Sequence, residues 1–193
     1  MEPTADSIPD PIPHTELSTE LLSAEHDLTC FYIGDEPGDK DLEDFIKTHA
    51  LQEQEDLIGK TRVCLWNGEI VGFITLAASS IRKDNLHRRY QTVRGYPVYP
   101  CILIGRLAVA KNKRDRDIGS FLLDLAIGIA FDGPVGCMLL RVDPKENSVN
   151  FYTKAGFVPM EKEKTRNPPG LFLDIAKVKK VWCDSRLNSD HTK

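Results

Sequence analysis

The stretch Gly105-Arg-Leu-Ala-Val-Ala-Lys-Asn-Lys-Arg-Asp-Arg-Asp-Ile-Gly-Ser-Phe-Leu-Leu-Asp-Leu-Ala126 has the residue types and spacing needed to hold an anion. An apolar run from Cys101 to Ala110 ends in a short loop carrying Lys111, Lys113, Arg114 and Arg116. The loop turns directly into a pattern with apolar residues at 118, 121, 122, 125, 126, 129 and 130, the spacing of one buried helical face. A strand that feeds a helix through a tight turn containing glycine leaves backbone N–H groups unpaired and aimed one way. Those groups and the helix dipole suit a phosphate or pyrophosphate. An ordinary strand–loop–helix connection has the same outline, and this segment alone leaves both readings open.

Other charged positions invite the same question. Arg106 lies within the apolar run Ile102–Val109, where a charge is costly unless paired. An ion pair with Glu69 or Asp143 is one reading; an anchor for an anionic ligand or its phosphate is the other. Arg82, Lys83, Arg88, Arg89 and Arg94, with Tyr90 and Tyr96 interleaved, can track an RNA backbone or form a solvated charged face. The histidines (14, 26, 49, 87 and 191) show no metal-ligand spacing and are assigned no role.

These residues need a scaffold. Residues 1–25, with Pro3, Pro9, Pro11 and Pro13, read as a mobile or loosely docked acidic extension. Leu28–Ile33 reads as the first strand. A Gly/Pro/Asp loop over 34–40 precedes a helix capped by Asp41, with Leu42, Phe45, Ile46, Ala50 and Leu57 on its apolar face. Asn67-Gly68 between Thr61–Trp66 and Ile70–Leu76 is a strong hairpin signal, because both central residues of a type I′ turn need positive φ. Residues 82–100 read as an inserted loop or short helix. A strand over 101–110, a helix over 117–131 ended by Asp132-Gly-Pro134, a strand over 137–143, a helix over 146–155 and strands near 157–161 and 171–176 follow. The order β-α-β-β-β-α-β-α-β-β predicts a mixed α/β fold with one central sheet over 26–178, followed by a polar tail over 179–193.

The 193 residues suit one domain with a full core plus extensions. No apolar run approaches the length of about 20 residues that spans a bilayer, and the acidic N-terminus has no apolar leader, so neither a membrane span nor a secretory signal is expected. Five scattered cysteines without a Cys-x-x-Cys pair indicate buried free thiols, no metal site and a reducing, cytoplasmic setting. The net charge of −4 hides a division: residues 1–39 hold ten acidic residues and no Lys or Arg, which leaves +6 on the rest.

A second segment narrows the reading. Asn147-Ser-Val-Asn-Phe-Tyr-Thr-Lys-Ala-Gly-Phe157 follows the strand-like Met138–Asp143. With Arg114-x-x-Asp-x-Gly119 it resembles the paired motifs of the GNAT acetyltransferases, which acetylate amines from acetyl-CoA. Their loop reads Gln/Arg-x-x-Gly-x-Gly/Ala. The likeness runs from about Leu28 to Val178 and includes Gly34, Leu42-x-x-Phe-Ile, Ala50, Gln54, Gly68-Glu-Ile-Val-Gly-Phe-Ile-Thr-Leu76, Leu-Ile-Gly-Arg-Leu-Ala-Val109 and Leu171-Phe-Leu173. The pattern looks most like the branch containing the aminoacyl-tRNA-acetylating toxins.

The resemblance implies a GNAT-like central mixed sheet flanked by helices and acetyl-CoA as cosubstrate. It assigns the stretch Leu107, Ala108 and Val109 to the pantetheine arm, through the backbones of Leu107 and Val109. Arg114, Asp115, Arg116, Asp117, Ile118, Gly119 and Ser120 then wrap the pyrophosphate, with the Ser120 hydroxyl assisting. Tyr152 becomes the candidate general acid, since a phenol of pKa about 10 is protonated at neutral pH and can donate to a departing thiolate. A core tyrosine beside Phe151 and Phe157 is the alternative. The implied reaction is direct attack by a primary amine in a ternary complex, with the amine of an aminoacyl-tRNA as acceptor and the 82–94 cluster as its contact. A small-molecule or protein amine, or a catalytically silent interaction module, remains open, and a homodimer is allowed. Asp115 and Asp117 depart from the family pattern. Asp117 stands at the first loop glycine, where its charge either repels pyrophosphate or caps the helix.

Overall fold

The computed structural model describes residues 9–91, 96–161 and 167–178. A mixed sheet of seven strands carries the fold, in the order β1-β2-β3-β4-β5-β7-β6. The strands are β1 (Leu17–Leu21), β2 (Lys60–Trp66), β3 (Glu69–Arg82), β4 (Val98–Val109), β5 (Leu139–Val142), β6 (Val158–Pro159) and β7 (Leu171–Asp174). Helices α1 (Pro37–Asp44), α2 (Ala50–Glu55), α3 (Ile118–Asp132) and α4 (Val149–Lys154) complete it. The chain divides into two compact units, residues 1–75 with 106–125, and 76–105 with 126–193.

In the first unit, β1 pairs antiparallel with β2 from Leu17↔Trp66 to Leu21↔Arg62. Asn67 and Gly68 both take positive φ (51° and 79°), as a type I′ hairpin between β2 and β3 requires. The core gathers Leu22, Phe31, Ile33, Phe45, Ile46, Ala50, Val63, Phe73, Ala108 and Ala110. The Gln54 side chain stitches this unit: its Nε2 donates to the Leu22 carbonyl at 2.9 Å and its Oε1 accepts from the Thr61 N–H at 3.2 Å.

Four expectations for this unit are corrected. The N-terminal extension contributes a strand: β1 lies within 1–25, and Ile12 and Leu22 are each only 1% exposed. Leu28–Ile33 is not a strand. Phe31 and Ile33 are buried, but the Ile33 N–H donates to Glu43 Oε2 and its carbonyl accepts from Arg114, so side chains take the place of a ladder. The first helix begins at Pro37, whose fixed φ suits a first turn, and Asp41 lies inside it. Leu57 leaves the apolar face, with φ 59° and 79% exposure.

In the second unit, β4 and β5 run parallel from Cys101↔Leu139 to Ile104↔Val142. β7 is antiparallel to both β5 and β6. Ile81, Leu86, Tyr99, Cys101, Leu139, Met160 and Phe172 form the core here. Of the described residues between β3 and β4, 83–91 and 96–97 are irregular apart from short 3₁₀ turns at Lys83–Asn85 and Arg88–Tyr90, while Arg82 still belongs to β3 and β4 already begins at Val98. α4 ends where Gly156 takes φ 91°, and the Phe157 N–H returns to the Tyr152 carbonyl at 3.1 Å.

Candidate active site

The β4–β5 register stops at Ile104↔Val142, whereas β4 continues to Val109. Leu107, Ala108 and Val109 therefore extend beyond the length of β5. Ala108 turns into the core at 6% exposure, and Leu107 and Val109, on the alternate face, are half-buried.

After Val109 the Ala110 N–H donates to the Val71 carbonyl and the Lys111 N–H to that of Tyr32, each at 2.9 Å. Arg114 is extended (φ −63°, ψ 159°), and Asp115 and Asp117 then both take the left-handed conformation, with φ 60° and 65°. Left-handed residues in a turn swing successive peptide N–H groups toward one side, the backbone device of anion-binding loops. The Asp117 carbonyl accepts from the Phe121 N–H at 3.1 Å and so opens α3; Ile118, 1% exposed, anchors that first turn. Gly119 and Ser120 follow, both half-buried.

Each cation of the loop has a partner within the first unit. Lys111 Nζ meets Asp35 at 3.2 Å, Lys113 Nζ meets Glu69 at 3.6 Å, and Arg114 Nη2 donates to Asp39 at 3.0 Å and to the Ile33 carbonyl at 2.8 Å. Arg116 Nε donates to the Asp10 carbonyl at 3.1 Å, and Arg116 and Lys113 both lie over the Trp66 ring. The acidic N-terminal third thus supplies two of the carboxylates on this basic loop, Asp35 and Asp39. Such exposed pairs contribute little stability. They do lower the local positive field. Asp117 points its carboxylate at His14, with Oδ2 3.2 Å from Nε2.

Tyr152 lies in the second unit, 5% exposed, edge-on to Phe151 and Phe157 with ring centroids 5.0 and 5.4 Å away. Burial penalises the phenolate and pushes its pKa well above the ordinary phenol range. The group is a proton holder at any working pH. Burial likewise raises the Cys64 thiol to about 12 and the Cys101 thiol to about 11, so neither is a thiolate nucleophile near neutrality. The described cysteines, Cys30, Cys64, Cys101 and Cys137, are all unpaired. Among the described residues no cluster of His, Cys, Asp or Glu can hold a metal ion, and no helix is long and apolar enough to cross a membrane.

The basic segment is also in the second unit. Arg82, 74% exposed, pairs with Asp84 at 3.2 Å, which raises its pKa further. Lys83 is half-buried; Arg88 and Arg89 are exposed. The Arg89 guanidinium lies 4.9 Å from the Tyr90 ring centre and Lys177 Nζ 3.6 Å from it, while Tyr90 packs edge-on to Phe172 at 5.0 Å. Lys177 joins this patch only through the fold, since it is far away in sequence. Arg94 lies outside the described residues. Arg106 is exposed, with its guanidinium 4.9 Å from the Phe45 ring centre.

A family model described as the acetyltransferase (GNAT) family matches residues 21–157, and the chain belongs to that family. A tRNA-acetylating toxin of Mycobacterium tuberculosis (strain ATCC 25618 / H37Rv) is 35% identical over 107 residues, 55% of this chain. The match spans 61% of the length of that relative. The structure of AtaT complexed with acetyl-methionyl-tRNAfMet superposes with a TM-score of 0.76 at 23% identity, covering 86% of this chain and 99% of that one. AtaTR bound with AcCoA gives a TM-score of 0.71 at 24% identity, covering 87% and 99%. The mixed seven-stranded sheet is the GNAT fold expected from the motifs.

Proposed function

We propose that the chain is an N-acetyltransferase that moves the acetyl group of acetyl-CoA to the α-amine of an aminoacyl-tRNA, by direct attack in a ternary complex. The observation that carries this reading is the turn at 114–118, extended and then twice left-handed before α3, in a chain of the GNAT family. The backbones of Leu107 and Val109 bind the pantetheine arm as an added strand does. The N–H groups of residues 114–120 bind the pyrophosphate, with the Ser120 hydroxyl assisting. The neutral amine attacks the thioester carbonyl carbon, the C–S bond breaks, and Tyr152 gives its proton to the departing sulfur. The new amide nitrogen loses one proton to solvent, and the tyrosine recovers one. Holding both reactants together supplies much of the acceleration.

Arg82, Lys83, Arg88 and Arg89, with Arg94 from outside the described residues, form the proposed tRNA contact, and Lys177 extends it. The relatives named above support this acceptor. Unpaired thiols support a reducing, cytoplasmic setting. Labelled acetyl-CoA offered with charged tRNA, polyamines, amino acids and peptides tests the acceptor. Modification of charged tRNA, falling steeply with salt as counterions are released, is expected. Acetylation of a small amine in its place would overturn the RNA reading. Asp115 and Asp117, which put carboxylates on the loop, favour a second reading, a silent interaction module. Calorimetry decides it: a folded protein that binds no acetyl-CoA at millimolar concentration is that module.

A further inference from the structure

The loop carries an aspartate where its family has a glycine, and the surrounding residues treat that aspartate in a specific way. Asp10–His14 lies along the turn. The Ile12 N–H donates to the Arg116 carbonyl at 3.1 Å, Arg116 Nε donates to the Asp10 carbonyl at 3.1 Å, and the Ile12 side chain is buried. These anchors present His14 to Asp117, from 103 positions away in sequence. The imidazole is further fixed edge-on to Phe121, on the first turn of α3, with centroids 5.2 Å apart and planes at 68°. Asp117 Oδ2 meets His14 Nε2 at 3.2 Å, a contact that an imidazole makes either as a neutral N–H donor or as a cation.

The left-handed backbone at Asp117 is the conformation the anion loop requires, and an aspartate side chain tolerates it. Its negative charge is the remaining obstacle, because a carboxylate beside the loop N–H groups competes with and repels pyrophosphate. The carboxyl of Asp124, one helical turn on from Phe121, is pushed above its usual range by burial, with His14 acting against that shift and Asp117 adding to it. Asp117 is thus the acidic group that His14 contacts directly at the start of α3.

We propose that His14 is a positioning residue for acetyl-CoA: it draws the Asp117 carboxylate away from the loop N–H groups and so lets an aspartate stand in place of the loop glycine. The inference rests on the reading of 114–120 as the pyrophosphate loop. His14→Ala is expected to weaken acetyl-CoA binding about tenfold by calorimetry, a Coulombic effect of the size expected for one uncompensated charge near the anion. Asp117→Asn in the same chain removes that charge, so the double variant binds like Asp117→Asn alone. His14→Gln, which keeps an N–H donor, recovers most of the affinity. Acetyl-pantetheine, which lacks the pyrophosphate, is used with the same KM by wild type and His14→Ala. The Asp117→Asn arm with His14 intact tests the charge argument without disturbing the strap, and tighter binding than wild type is expected there. Equal acetyl-CoA affinity of wild type and His14→Ala overturns the proposal, as does a loss that Asp117→Asn does not restore. Looser binding by Asp117→Asn overturns it too. Wild-type protein that binds no acetyl-CoA overturns both this inference and the loop reading beneath it, whereas failure of the first kind leaves the loop reading intact.

Discussion

Two turns of the chain take positive φ at motif positions, one at Asp117 in the first unit and one at Gly156 in the second, and the family pattern places glycine at both. The chain keeps the second and replaces the first. The angles explain why. At φ 65° Asp117 lies inside the narrow left-handed region open to L-residues, where Asp and Asn are enriched because a short polar side chain bonds locally. At φ 91° Gly156 lies beyond that region. A Cβ there would meet Leu173 Cδ1 at 3.6 Å, an ordinary contact, so the backbone demands glycine and the neighbouring packing does not. A motif glycine is thus dispensable or not according to where its φ falls, and the dispensable one leaves a charge to be managed.

The largest expected effect is chemical. Tyr152, in the helix that Gly156 ends, changed to Phe is expected to keep acetyl-CoA affinity and lower turnover by about 10²–10⁴-fold in a single-turnover assay. An unchanged rate would assign Tyr152 to packing alone. Next comes the Gly156 backbone: Gly156→Ala should lower stability by about 1–3 kcal/mol in urea denaturation, the cost of holding an L-residue in that conformation. Asp117→Ala should cost about 1–2 kcal/mol, because alanine in the left-handed region has no local bond to offset the strain. Asp117→Asn should stay within about 0.5 kcal/mol. Equal costs for Ala and Asn at 117 would mean that the contact with His14, and not the backbone angle, decides what stands there.

The smallest effect is an absence. Burial raises the Tyr152 pKa above its ordinary value of about 10, so the acid form is fully present below that value and is lost only as pH rises through the higher one. The rate of acetyl transfer should therefore show no alkaline decline up to about pH 10 from this group. A decline with a midpoint below about 9 that vanishes in Tyr152→Phe would contradict its burial in the working enzyme.

Elements built from local signals were readable in the chain. Asn67-Gly68 announced its hairpin, the 3.6-residue apolar period announced α3, and the ordered motifs announced the family and the loop. Two of the misreadings share a cause, which is that the deciding partner is distant in sequence. β1 contains Ser18, Thr19 and Glu20 and follows a run of prolines, and it is a strand because β2 pairs with it. Leu28–Ile33 has strand-forming residues, yet Glu43 and Arg114 satisfy the backbone of Ile33. At the candidate site, Tyr152 and the loop stood out by type and spacing. His14, with nothing unusual around it in sequence, and Lys177, brought to Tyr90 only by the fold, did not.

Between α1 and α2 the chain makes one wide turn, Phe45–His49, in which the Ala50 N–H reaches back five residues to the Phe45 carbonyl. A π turn of this kind amounts to an α-helix with one residue too many. Phe45 and Ala50 share the buried face across it, while Lys47, Thr48 and His49 bulge into solvent. If one of those three were removed, Phe45 and Ala50 would be four positions apart, the spacing at which an ordinary α-helix also places two residues on one face. The stretch therefore offers lineages of this protein a place to vary in length by a residue without emptying the core beneath it.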